Sequence, residues 1–224
     1  MNMLLDFIEK NVEVEITGGI FHRGILIDSG LDILVLYHEC THTFLYIPYV
    51  QIQRVKEINF IEEDLSCEPH LEKPIDTEVI SYRQILKNAK GLYVKAYVSG
   101  DKTINGYITS IMNDYVVFHS PAYKTMFISM NHLKWLIPYP PGTTPYKLDK
   151  KNQLLIPISS PFARSFDVQL KKLENRLVIL DNGDHPEKVG LLEKVQDNQA
   201  TLLTDEGETV VWNLEHIKTI QVSH

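Results

Sequence analysis

The chain has 224 residues, of which 44% are hydrophobic and 23% are charged, and its formal net charge is −7. This composition excludes a wholly disordered chain, because it can bury enough apolar surface to offset the loss of chain entropy. The negative charge disfavours a general nucleic-acid binder, and two cysteines are too few for a disulfide scaffold. The sequence shows neither a secretory signal nor an apolar run of about 18 residues, so we expect a cytoplasmic protein without membrane contact.

The elements predicted from the N-terminus onward repeat one series three times. Each series begins with a short helix, because apolar residues recur at helical spacing within 1–10, 82–89 and 166–175. Five short strands follow, marked by alternating apolar and polar residues and by β-branched and aromatic side chains. The fold is therefore expected to be mainly β, with a strongly bent sheet or a small barrel in each series.

Three glycines set the register of this series: Gly24, Gly106 and Gly190. A polar turn former lies eight residues after each glycine, and an apolar strand residue lies twelve residues after it. Each series closes on a fifth strand whose apolar anchor lies 27 or 28 residues after the glycine. Because glycine inside a strand commonly marks a bulge or a tight bend, we predict that these positions are structural anchors of a repeat.

Acidic and proline-rich connectors divide the chain, because such segments commonly separate folded units. The net charge is −4 over residues 6–58, −5 over 59–83, +4 over 84–137 and −4 over 169–222, counting Lys, Arg, Asp and Glu. The predicted organisation is an acidic module at 1–60, an acidic linker at 61–81, a basic module at 82–139, a proline-rich linker at 140–165 and an acidic module at 166–224.

The first series resembles the Sm-like barrel. Its segment Gly24-Ile25-Leu26-Ile27-Asp28 looks like the first Sm motif, whereas Tyr46-Ile47-Pro48 stands where the second, RNA-contacting motif would be. The resemblance implies three tandem small five-stranded Sm-like barrels, each with a short N-terminal helix. The pattern also resembles the repeated modules of endospore coat proteins of the coat-protein-B type, in its tyrosine-rich fourth strand and its closing segment His216-Ile217-Lys218-Thr219-Ile220. That likeness implies a structural role in a bacterial spore coat.

Catalytic motifs are not recognisable in this sequence, and we expect neither enzymatic activity nor a cofactor. One cluster of metal-ligand residue types is a weak zinc candidate: His38, Cys40 and His42 would share a face if the segment were an extended strand, and His22 could add a fourth ligand. A hairpin is also predicted there, and a turn would break the common face. We therefore favour ordinary core or surface side chains over a metal site.

His132 and His216 occupy one position of the series, and Gln51 occupies it in the first module. A shared proton-transfer role is excluded by the glutamine, whereas all three side chains can form hydrogen bonds with the backbone. We therefore predict that this position is a polar anchor of the closing strand.

The basic central module offers a second interpretation. Its lysines alternate with aromatic residues, which is the combination that single-strand nucleic-acid binders use; the candidates are Lys95, Lys102, Tyr107, Lys124 and Lys134. Core aromatics with solvated lysines explain the same pattern. The charge asymmetry equally favours contacts between modules or between chains. The favoured function is a non-enzymatic scaffold that binds other proteins or itself, and the alternative is RNA or single-stranded nucleic-acid binding.

Overall fold

The computed structural model describes residues 3–59, 80–98, 103–143 and 161–223. Over this part of the chain fifteen strands join into a single antiparallel sheet, accompanied by few helices, and the predicted mainly β class is confirmed. Most of the two predicted linkers, 61–81 and 140–165, lies outside the described residues. No helix in the described ranges is both long enough and apolar enough to span a membrane.

Three groups of five consecutive strands, which we call the first, second and third units, follow the same plan. The first unit begins with a 3-10 helix (Met3–Phe7) and continues with β1 (Asn11–Ile16), β2 (Ile20–Ser29), β3 (Ile33–His38), β4 (Thr43–Pro48) and β5 (Ile52–Glu57). Two more 3-10 helices, Glu39–Thr41 and Tyr49–Gln51, connect its last three strands.

The second unit consists of α1 (Tyr82–Ala89), β6 (Tyr93–Tyr97), β7 (Thr103–Ile111), β8 (Tyr115–Ser120), β9 (Lys124–Ser129) and β10 (Trp135–Pro138). The third unit consists of α2 (Phe166–Lys171), β11 (Arg176–Leu180), β12 (Val189–Gln196), β13 (Gln199–Leu203), β14 (Thr209–Asn213) and β15 (Thr219–Val222). Its 3-10 helices are Asp181–Gly183, Pro186–Lys188 and Leu214–His216.

The order of the strands differs from that of three separately closed barrels. Within each unit the strands run fifth, first, second, third, fourth. The fifth strand of the second unit, β10, then pairs with β4 of the first unit, and β15 of the third unit pairs with β9 of the second. The fifteen strands therefore form an open sheet, with β5 at one end and β14 at the other.

The three glycines of the sequence pattern occupy equivalent places in the second strand of each unit. A β-carbon added at Gly24, Gly106 or Gly190 would collide with a carbonyl oxygen of the neighbouring third strand, at Tyr37, His119 or Leu203 respectively. The irregularity in pairing comes two to four residues later, for example between Leu26 and Asp28. These glycines therefore permit a close approach of two strands, and the bulge itself lies beyond them.

The hydrophobic core consists of three clusters, and each extends across a boundary between units. The cluster of the first unit includes Tyr97, Trp135 and Ile137 from the second unit. The cluster around α1 includes the outward-facing residues of β3 and β4, and the cluster around α2 includes Tyr115, Val117 and Phe127 of the second unit. Burial of apolar area stabilises the units chiefly as a connected series, since none of the three clusters belongs to one unit alone.

Candidate functional site

The units contact each other through strand pairing, buried apolar side chains and side-chain hydrogen bonds. At the first junction, between β4 and β10, Tyr46 lies opposite Leu136. At the second junction, between β9 and β15, Phe127 lies opposite Ile220. All four side chains are buried. Each junction thus combines main-chain pairing with an opposed pair of buried apolar side chains.

The two junctions have the same register. Leu136 and Ile220 are equivalent, because they pair within their own units with Ala96 and Leu180. Each of these partners lies two residues after the residue that faces the repeated glycine of its unit. Tyr46 and Phe127 are equivalent as well, because they pair with Val35 and Val117, which lie eleven residues after Gly24 and Gly106. One geometry is therefore used twice within the chain.

A side-chain hydrogen bond recurs at both junctions. The Gln51 amide of the first unit donates to the carbonyl oxygen of Asn131 in the second unit. His132 of the second unit donates from Nε2 to the carbonyl oxygen of Glu215 in the third, at 2.7 Å. Asn131 and Glu215 are equivalent, since each directly precedes the histidine of its own unit. The position predicted to anchor its own closing strand thus binds the backbone of the next unit.

A carboxylate before the third strand also contacts the next unit. Asp32 Oδ1 accepts a hydrogen bond from the backbone N–H of Tyr82 at 2.6 Å, and Asp114 Oδ1 accepts one from the N–H of Phe166 at 2.9 Å. Tyr82 and Phe166 are the first residues of α1 and α2. These N–H groups have no partner within the helix, so each aspartate satisfies the start of the helix in the following unit.

Lys134, one of the nucleic-acid candidates, is part of the first junction. Its Nζ donates to the carbonyl oxygen of Thr17 at 2.6 Å and lies 5.5 Å from the ring centre of Tyr97. Burial, reinforced by Lys218, lowers the pKa of this lysine. Lys134 therefore holds two units together, and its charge is directed to the first unit.

The other nucleic-acid candidates lie elsewhere. Lys95 is partly buried in β6, and the Tyr107 ring packs 5.4 Å from that of Tyr93. Lys124 is exposed at the start of β9. The pKa of His119 on β8 is lowered by partial burial of its ring and, to a smaller extent, by the charge of Lys124. Lys102 lies outside the described residues. Tyr107 of β7 pairs with His119 of β8 and Lys124 of β9 pairs with Ser120 of β8, whereas Lys134 is at the first junction.

The segment of the zinc candidate is not an extended strand. β3 ends at His38, and Glu39–Thr41 forms a 3-10 helix that is followed by His42 in a left-handed conformation, with φ 50°. His38 Nδ1 lies 3.0 Å from Thr41 Oγ1, and His42 Nδ1 lies 2.9 Å from the Tyr37 hydroxyl. Cys40 is exposed. The common face on which a zinc site would depend is therefore lost, and no cluster of three potential ligands occurs within the described ranges.

His22 belongs to the first junction instead. Its ring meets Trp135 of the second unit edge to face, with centroids 5.9 Å apart. Burial, with a smaller contribution from His38, lowers the pKa of His22 to about 4. The ring is therefore neutral at physiological pH and packs as an aromatic group.

The two outer edges of the sheet carry the same positions, and no other strand of the described ranges pairs with them. Val211 on β14 is equivalent to Tyr46 and Phe127, because it pairs with Thr201, eleven residues after Gly190. It is 54% exposed. Val55 on β5 is equivalent to Leu136 and Ile220, because it pairs with Val14, and it is only partly buried. His216, equivalent to Gln51 and His132, is exposed and has no hydrogen-bond partner in the described part of the chain.

These features define a class of antiparallel sheet protein whose five-strand units are joined edge to edge by a recurrent junction. Residues 165–220, which contain α2 and β11–β14, match the protein family described as YwrJ third domain. Over 99% of its length the chain is 42% identical to uncharacterized protein YwrJ of Bacillus subtilis (strain 168), and it covers 100% of that protein. The chain belongs to the YwrJ family.

A second relative is more distant. The chain is 26% identical over 141 residues to spore coat protein B of Bacillus subtilis (strain 168). The similar region spans 63% of this chain and 35% of that coat protein.

Proposed function

We propose that the chain is a non-enzymatic scaffold protein of a bacterial endospore coat, built from three tandem Sm-like modules that share one sheet. The similarity to spore coat protein B supports the setting. The series of a helix and five short antiparallel strands, found in each unit, supports the Sm-like interpretation. The single observation that carries the scaffold proposal is the open sheet, whose two ends expose the same strand edges that form the internal junctions.

The polar residues of the repeated positions support binding over catalysis. Gln51 and His132 donate to backbone carbonyl oxygens of a neighbouring unit, and Asp32 and Asp114 accept from the first N–H of a neighbouring helix. These groups are used for cohesion between units. An unpaired strand edge is in turn a known means of recruiting another chain through main-chain hydrogen bonds.

Nucleic-acid binding by the second unit is the weaker proposal, because Lys134 is committed to the first junction. It predicts a steeply salt-dependent affinity for short RNA that is lost when Lys95 and Lys124 are changed to Glu. Absence of binding at low salt would eliminate it.

The coat proposal is tested in sporulating Bacillus subtilis from which YwrJ has been deleted. The chain is expressed there as a fluorescent fusion, and coat extracts of purified spores are probed for it. We expect fluorescence to surround the developing spore and the fusion to appear in the coat extract, while the fluorescent tag alone stays diffuse. A fusion that stays diffuse and is missing from the coat extract would contradict the proposal.

A further inference from the structure

Each outer edge of the sheet carries one half of the junction that joins the units. Each internal junction places the fourth strand of one unit against the fifth strand of the next. Among the described residues, no strand pairs with the outer edge of β14, the fourth strand of the third unit, or with that of β5, the fifth strand of the first unit. The two free edges are thus the two complementary halves of one junction.

We propose that the chain binds a second copy of itself head to tail, with β14 of one copy pairing antiparallel to β5 of the other. This inference rests on the proposed function, and it names the partner at the exposed edges. The occupant is a second copy because the edges continue the geometry that the chain already uses at its two internal junctions. Such a contact is heterologous, since two different surfaces meet.

The internal register predicts which residues meet. Tyr46 opposes Leu136 and Phe127 opposes Ile220, so the equivalent Val211 of one copy opposes Val55 of the other. Val211 is the least buried of the three equivalent residues on the fourth strands, and Val55 is the least buried of the three on the fifth strands. Pairing would cover an exposed apolar residue on both sides, and in this register Trp212 lies opposite Arg54.

The recurrent side-chain hydrogen bond predicts a second contact. Gln51 and His132 each donate to a backbone carbonyl oxygen of the following unit. The acceptor residue is the one directly before the position equivalent to the donor. By the same rule His216 donates to the carbonyl oxygen of Val50 in the second copy. Val50 is 63% exposed, which is accessible enough for this approach.

The charges of the two edges are compatible with pairing. The hairpin before β14 contains Asp205, Glu206 and Glu208, and β5 carries Lys56, which the predicted register places diagonally across from Glu208. Glu57 on β5 is already paired with Lys10 at 3.0 Å. Opposite charges that meet across an edge favour one orientation of the partner.

The outer contact is weaker than an internal junction. Gln199 and Thr201 stand on the outward face of the third unit where the first unit has Ile33 and Val35 and the second has Tyr115 and Val117. Fewer apolar side chains are therefore covered when two copies meet. We infer a reversible, concentration-dependent association.

Directed crosslinking tests the predicted register. One full-length chain carries Val55→Cys and a second carries Val211→Cys, and the native cysteines are replaced by Ser in both. The chains are mixed and oxidised with diamide, which accepts the two electrons and two protons released when the disulfide forms. Directly opposed β-carbons lie within disulfide reach, so we expect a covalent dimer in the mixture and little in either chain alone.

The matched control replaces Val211→Cys with Thr209→Cys, two residues out of register on the same exposed strand. We expect it to crosslink about tenfold more slowly, because diagonal β-carbons lie beyond the usual disulfide span. Equal rates for the two pairs, or no dimer with the opposed pair, would overturn the inference. Coat localisation without this crosslink would refute the head-to-tail contact alone, whereas crosslinking without localisation would refute the coat setting alone.

A second measurement needs no cysteines. Sedimentation velocity over a range of concentrations should show association of the unmodified chain, and Val211→Asp should weaken it at least tenfold by burying an unpaired charge. Val168→Asp changes an exposed valine on α2, away from the edge, and should leave association unchanged. A chain that is monomeric at every concentration, or equal effects of the two variants, would contradict the proposal.

Discussion

The outward faces of the second and third units occupy the same place in the fold but differ in chemistry. Tyr115, Val117 and Phe127 on β8 and β9 are buried against the third unit. The equivalent residues on β13 and β14 are Gln199, Thr201 and Val211, of which Gln199 and Val211 are exposed. One face is therefore covered within the chain, whereas the other remains compatible with water and with a reversible partner.

The largest expected difference between the two faces is in stability. Phe127→Ala should lower the free energy of unfolding by about 3–5 kcal/mol, because it leaves a cavity at the second junction. Val211→Ala, at the equivalent exposed position, should change it by less than about 0.5 kcal/mol. Denaturant unfolding of the two variants measures both values. Similar losses for both would mean that β14 is already covered within the monomer.

Acidification should weaken the first junction selectively. The folded-state pKa of His22 is about 4, below its ordinary value of 6.5, because the ring is buried beside Trp135 and near His38. The unfolded chain therefore takes up a proton that the folded chain does not. The resulting stability is present above pH 6.5 and is lost as the pH falls towards 4, by roughly 1–3 kcal/mol in total.

Unfolding measured at pH 7 and pH 4.5 for the wild type and His22→Phe tests this expectation. The variant cannot be protonated at this position, so it should lose less stability between the two pH values. An equal loss in both proteins would show that other groups cause the acid sensitivity.

Substitutions at the position shared by Gln51, His132 and His216 should change stability by smaller amounts. Gln51→Ala should cost about 1–2 kcal/mol, because the amide bridges two units. His216→Ala should change monomer stability by less than about 0.5 kcal/mol, since the side chain is exposed. Gln51→His introduces the residue that the other units carry and should recover part of the lost stability. Thermal unfolding at a concentration below association measures all three variants.

The end face can also be made to resemble the inner faces. Gln199→Tyr combined with Thr201→Val copies the residues of the second unit and should strengthen association about tenfold, since more apolar area is then covered on pairing. Glu193→Tyr, an exposed change on β12, is the matched control. Sedimentation velocity compares the two, and stronger association in the control alone would point to a different contact surface.

Local structure could be predicted from the sequence because it depends on short-range patterns. The helix predicted at 82–89 has the observed bounds, and those predicted within 1–10 and 166–175 are found as the shorter Met3–Phe7 and Phe166–Lys171. Alternation and helical spacing determine these elements within a few residues. The glycine spacing is visible in the sequence, but the close approach of strands at these glycines depends on a carbonyl oxygen of the next strand, which no local pattern specifies.

The junctions cannot be predicted from short-range patterns, because they connect residues far apart in the chain. Lys134 reaches a carbonyl oxygen at Thr17, and no local pattern indicates that pairing. One signal was nevertheless present. Ile33–Tyr37 and Tyr115–Phe118 are uninterrupted apolar runs, which are typical of strands buried on both faces, whereas Gln199–Leu203 includes polar residues on one face. That difference already separates the first and second units, whose fourth strand pairs with another unit, from the third unit, whose fourth strand is at the end of the sheet.

The aspartates that accept hydrogen bonds from the neighbouring helices favour folding in order from the N-terminus. Asp32 precedes the helix that it completes by 50 residues, and Asp114 precedes its helix by 52. During synthesis from the N-terminus, each of these two carboxylates is therefore available before the helix to which it binds emerges from the ribosome. Every completed sheet edge is a template on which the following segment can settle.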